Sequence, residues 1–144
     1  MRINKLLAFG TLCAAVALPA SATTILYNDF SSVAGLQLNG NAAQAGSVLR
    51  VTPATYGQSG SAFSTSAVSL ASDASFSSAF RFRISNSGGI CDEDGCGADG
   101  LVFAVQTVAN TAGGAGGGIG YQGLANSVGI EFDTWNNGSW DDNN

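Results

Sequence analysis

The chain contains no histidine. That removes the commonest general base and the commonest activator of a serine or cysteine nucleophile. Charged residues are scarce, at 10% of the 144 residues, and neither lysine nor arginine occurs after Arg83. The second half therefore has no cation of its own to neutralise its carboxylates. Amphipathic segments of helical period are missing beyond the first two dozen residues, so the helical fold classes drop out. No apolar run approaches the roughly 20 residues that a membrane-spanning helix needs.

What is present begins with a secretory signal. Arg2 and Lys5 form a positive n-region, Leu6 to Leu18 an apolar stretch, and Ala20-Ser21-Ala22 a small-residue cleavage site. Residues 1–22 are read as a signal peptide, and 23–144, opening at Thr23, as the N-terminal part of the mature domain. Cys13 sits behind Leu12, which is the wrong size for lipoprotein cleavage, and is lost with the signal. The mature segment keeps three arginines against ten carboxylates, a net charge of −7. Nucleic acid and anionic lipid are excluded as partners on that balance, and no membrane insertion of the mature segment is expected. The expected location is secreted or cell-surface, either extracellular or periplasmic. Cys91 and Cys96 are expected to pair there, closing a tight loop just before Asp99.

The patterning is β throughout. Strands are predicted over 24–27, 36–38, 47–52, 62–65, 75–85, 101–107 and 127–134. In 75–85, Phe76, Phe80, Phe82 and Ile84 share one parity, with Arg81 and Arg83 on the other. The run Leu101-Val102-Phe103-Ala104-Val105 is apolar on both faces, as in a strand buried within a sandwich. Turn clusters between the strands predict an all-β, two-sheet antiparallel sandwich. The loop Gly113-Gly114-Ala115-Gly116-Gly117-Gly118 lies between strands, where glycines permit unusual backbone angles or the close approach of a ligand. Asn144 follows the acidic loop with no closing strand, so the sandwich is expected to be incomplete, with its remaining strands beyond this sequence.

Eight of the ten carboxylates fall between Asp92 and Asp142. In 127–134, Glu131 and Asp133 point to one face while Ile130 and Phe132 point to the other. Two like charges so close repel unless a cation lies between them, and a divalent metal is the simplest one. The run Asp92-Glu93-Asp94-Gly95 opens like an EF-hand loop, but Cys96 and Phe103 stand where that loop needs carboxylates.

Several segments in order resemble the legume-type (L-type) lectins, in their bacterial secreted branch. These are Leu36-Gln37-Leu38-Asn39-Gly40-Asn41-Ala42, Leu49-Arg50-Val51-Thr52-Pro53, the strand Ser75-Phe76 to Ile84, Ala98-Asp99-Gly100-Leu101-Val102-Phe103, Gly117-Gly118-Ile119-Gly120-Tyr121, and Glu131-Phe132-Asp133-Thr134-Trp135-Asn136-Asn137. The resemblance implies a concanavalin A-like jelly roll that binds Ca²⁺, with Mn²⁺ as the usual second ion. The implied calcium ligands are Asp133, the Trp135 carbonyl, the Asn137 amide oxygen and Asp142. Glu131, Asp133 and Asp142 would serve the second ion, whose family histidine is expected a few residues beyond Asn144. Register favours Asp142 over Asp141.

The implied partner is a saccharide or glycoconjugate, held by Asp99, Gly117 or its neighbour Gly118, Trp135 and Asn137. The Ala98–Asp99 peptide is expected to be cis. A homo-oligomer is compatible with the resemblance, and the function implied is binding without catalysis. Two alternatives stand beside it. One is a jelly-roll glycoside hydrolase, which needs a further carboxylate where this chain has Asn136. The other is a surface protein that keeps the scaffold without the sugar.

Overall fold

The computed structural model describes residues 23–71, 73–91 and 95–138. The signal-peptide reading of 1–22, and Asp141 and Asp142, lie outside the described residues. Six strands form in order: β1 (Leu36–Gly40), β2 (Ala43–Ala45), β3 (Val48–Arg50), β4 (Gly60–Ser64), β5 (Gly100–Gln106) and β6 (Ser127–Asp133). They pair antiparallel into three two-stranded sheets, β1 with β4, β2 with β3, and β5 with β6. The architecture is all-β and consistent with a concanavalin A-like sandwich that is incomplete over these residues. No helix among them is long and apolar enough to cross a membrane.

β5 and β6 form the longest ladder, running from Gly100 opposite Asp133 to Gln106 opposite Ser127. Directly opposed residues of an antiparallel pair share a face. Leu101, Phe103 and Val105 therefore join Phe132, Ile130 and Val128 on one side. Val102, Ala104 and Gln106 join Glu131, Gly129 and Ser127 on the other. The strand-period reading of β6 is met: its carboxylates and its large apolar residues separate by parity.

The apolar face is partly covered by 75–85. Phe80 stacks on Phe103 with centroids 5.2 Å apart and meets Phe132 edge-on at 6.1 Å. Phe82 lies 4.4 Å from Phe132. The segment itself joins no sheet, contrary to expectation. Alternation sorts side chains between two faces, but a strand also needs a neighbour to take its backbone hydrogen bonds, and none among the described residues does so. Segment 24–27 is likewise outside any sheet, while β2 was not anticipated from its Ala-Gln-Ala sequence.

No described residue is fully buried. β5 was expected at the middle of a sandwich, yet it is half-buried, because among the described residues β6 is its one sheet neighbour. Val128 and Ile130, on the same face, are 68% and 56% exposed.

Candidate functional site

The candidate site forms where β5 begins and β6 ends. The Ala98–Asp99 peptide is cis, as expected. The Asp99 carbonyl accepts the Thr134 N–H at 3.1 Å, which carries the β5–β6 pairing past the last ladder pair. Asp99, half-buried, is thereby tied beside the chain leaving β6. Gly100 makes the approach feasible. Its φ is +140°, and a side chain there would run into the backbone of Phe132 and Asp133.

Past β6 the chain turns on its own side chains. Asp133 Oδ1 accepts the Trp135 N–H at 2.9 Å, and Asn136 Oδ1 accepts the Gly138 N–H at 2.7 Å. Such side-chain-to-backbone bonds two residues on are how Asp and Asn shape turns. They fold Trp135 and Asn137 inward, where both are half-buried, while Glu131 and Asp133 stay exposed.

The glycine loop reaches the same place from the opposite direction. A Cβ built on Gly117 would lie 2.5 Å from Asn137 Oδ1 and 2.9 Å from its Cγ. The Asn137 amide therefore rests directly on the bare Gly117 backbone. Gly118 faces Gln122 instead, so of the two glycines it is Gly117 that meets Asn137. Within the loop the Ile119 N–H donates to Gly116 O at 2.9 Å, and the Tyr121 and Gln122 N–H groups donate to Gly118 O at 2.8 and 2.9 Å. The Tyr121 ring lies against Gly129 of β6, so close that a Cβ there would be 2.8 Å from it.

Cys91 and Cys96 form the expected disulfide, and the Gly97 N–H donates to Ile90 O at 3.0 Å, closing the turn just before Asp99. Of the residues anticipated from sequence, Asp99, Gly117, Asp133, Trp135 and Asn137 thus belong to one end of the β5–β6 sheet, with Glu131 two residues back on β6. Asp142 lies outside the described residues. Two residues that sequence reasoning passed over also bear on this end. Asn39 and Ser61, on β1 and β4, bond to the backbone just before the glycine loop. Contacts across 71 and 51 positions leave no periodic trace in a sequence.

The legume lectin domain model matches residues 22–144. The chain belongs to the legume lectin domain family. No solved structure gives a significant match.

Legume lectins bind carbohydrate and are generally non-catalytic, and they generally carry Ca²⁺ and Mn²⁺. Among the described residues no three His, Cys, Asp or Glu side chains converge as a metal group. The donors that are described, from Glu131, Asp133, Asn137 and the Trp135 carbonyl, are hard oxygens. They fit calcium in kind. Calcium takes about six to eight oxygens, so Asp142 and water would have to supply the rest.

Proposed function

We propose that this legume lectin domain is an exported, calcium-dependent saccharide-binding module of the bacterial secreted type. In this reading residues 1–22 direct export and 23–144 make up the mature lectin segment. The observation that carries it is the seating of Asn137 against Gly117 beside the Asp99–Thr134 link. In this reading the Asp99 carboxylate and the Trp135 indole work beside the Asn137 carboxamide and the bare Gly117 amide. That set suits a sugar ring, which offers several hydroxyls and one apolar face.

The Asp99 carboxylate accepts hydrogen bonds from two ring hydroxyls. The Asn137 amide and the Gly117 N–H donate, and Trp135 stacks on the C–H face of the ring. Asp133, the Trp135 carbonyl, Asn137 Oδ1 and Asp142 would hold Ca²⁺, with Glu131 turned toward a second ion. Bound calcium supplies a fixed positive charge among these carboxylates. Asp133 orients the turn through its bond to the Trp135 N–H. Asn137 is suited to a double role, its oxygen toward the cation and its nitrogen toward the sugar.

Catalysis is not part of the reading. Double displacement at a glycosidic bond needs a pair of carboxyl groups placed for acid and nucleophile, and the position that would supply the additional one is Asn136. Isothermal titration of the mature chain with mannose-like and galactose-like monosaccharides, in calcium and then in EDTA, tests the proposal. Binding that disappears with chelation and releases no reducing ends supports it. Release of reducing ends would make the protein a hydrolase, and silence in both assays a scaffold.

A further inference from the structure

We propose that Asn39 and Ser61 are positioning residues for the saccharide site, setting its affinity through the glycine loop without touching the sugar. The inference rests on the lectin reading above and adds two residues from a different sheet. Asn39 lies on β1 and Ser61 opposite it on β4. Both are half-buried.

Asn39 Nδ2 donates to Asn110 O at 2.8 Å and to Ser61 Oγ at 3.0 Å. Ser61 Oγ in turn donates to Ala112 O at 3.0 Å. The two side chains form a relay that grips two carbonyls of the chain as it enters the loop. A Cβ on Gly113 would come within 3.5 Å of Ser61 Oγ, so the loop also lies in contact with this pair. At its far end the loop is fixed by Tyr121 against Gly129 of β6. Gly117 sits between these anchors, where it meets Asn137.

The consequence is mechanical. A glycine-rich segment loses more backbone entropy on ordering than any other. Its ends must be held if its middle is to present an N–H at a fixed place. The β6 end supplies one hold, and the β1–β4 sheet supplies the other through Asn39 and Ser61. Loss of either side chain frees the loop entrance while leaving Asp99, Asp133, Trp135 and Asn137 held at the end of the β5–β6 ladder, to which neither Asn39 nor Ser61 bonds. The calcium donors all lie on β6 and the chain after it, so cation affinity is separable from loop position.

The test uses the full mature chain with Asn39→Ala, Ser61→Ala and Ser61→Thr. Amide exchange at Ile119, Tyr121 and Gln122 is measured alongside the β5–β6 ladder amides, with Ca²⁺ affinity and monosaccharide affinity taken on the same samples. Both alanine variants should speed exchange at the three loop amides about tenfold, the equivalent of one lost hydrogen bond. They should also weaken the sugar by about the same factor, with ladder exchange and Ca²⁺ affinity unchanged. Ser61→Thr keeps the hydroxyl and should restore both readouts. Unaltered loop exchange in both alanine variants overturns the inference whether or not any sugar binds, as does equal loss in Ser61→Thr. A wild-type chain that binds calcium but no saccharide defeats the lectin reading alone, since the exchange rates still decide the clamp.

Discussion

Replacing Gly117 by alanine adds one methyl group where the glycine loop meets the end of β6. Gly117 does not have a positive φ, so the backbone accepts alanine and the effect must come from contact. The new Cβ would sit 2.5 Å from Asn137 Oδ1, whereas ordinary contact begins near 3.4 Å. Asn137 must therefore withdraw by about 0.9 Å, the difference between those distances. A hydrogen bond stretched that far is lost. One lost bond together with local overpacking is worth about 1.4–2.8 kcal/mol, or roughly 10- to 100-fold in saccharide affinity.

Asn137 is only half-buried and can swing outward, so global stability should change by less than about 1 kcal/mol. Gly114→Ala is the internal control, because Gly114 also lacks a positive φ and a Cβ there meets nothing within 4 Å. Titration calorimetry should find it indistinguishable from wild type. In an Asn137→Ala background the obstructing amide is gone, and Gly117→Ala should cost nothing further. Wild-type affinity in Gly117→Ala, an equal loss in Gly114→Ala, or simple additivity in the double variant would refute the proposed geometry.

Other expectations follow from the same structure. Asp133→Asn removes a formal charge and should weaken calcium by at least about tenfold, with Glu131→Gln a smaller effect, both read by calcium titration. Opening the Cys91–Cys96 bond with Cys91→Ser and Cys96→Ser releases a loop closed over a separation of five residues. The chain-entropy estimate for so short a loop is about 2 kcal/mol, visible as a lower urea midpoint, with saccharide affinity falling because Asp99 follows directly. Asp29 accepts hydrogen bonds from the Ser31 hydroxyl and from its N–H, which hold its carboxyl below the ordinary range. A folded pKa below the unfolded one contributes stability that is present above about pH 3.9 and lost as pH falls through the lower folded value. Asp29→Asn should flatten that acid-side slope in a series of urea melts.

The elements that were legible in the sequence are those whose signal is local. β5 carries a continuous apolar run and β6 an alternating one, and the parity that puts Glu131 and Asp133 opposite Phe132 is a property of one strand alone. The ordered motifs around Asp99, Gly117 and Asn137 marked the same residues that meet at the end of the β5–β6 sheet. The Cys91–Cys96 pairing was legible because these two cysteines stand close together and the third, Cys13, lies far upstream.

Other features depend on partners distant in the chain. Segment 75–85 alternates as cleanly as β6, and its Phe80 and Phe82 do pack on Phe103 and Phe132, yet among the described residues it has no sheet neighbour to make it a strand. β2 has neither β-branched nor aromatic residues and forms because Val48–Arg50 folds back along it. Asn39 and Ser61 lie just outside the strands predicted at 36–38 and 62–65, and their grip on residues 110 and 112 appears only in three dimensions.

Calcium-dependent organisation of the Asp99, Gly117, Trp135 and Asn137 cluster is tested most directly by amide-detected NMR titration of the mature chain. In saturating calcium, a recognised monosaccharide should shift these four resonances together. EDTA should abolish the shifts, and restored calcium should bring them back. Saccharide shifts that survive chelation, or that map away from the end of the β5–β6 sheet, would contradict the account.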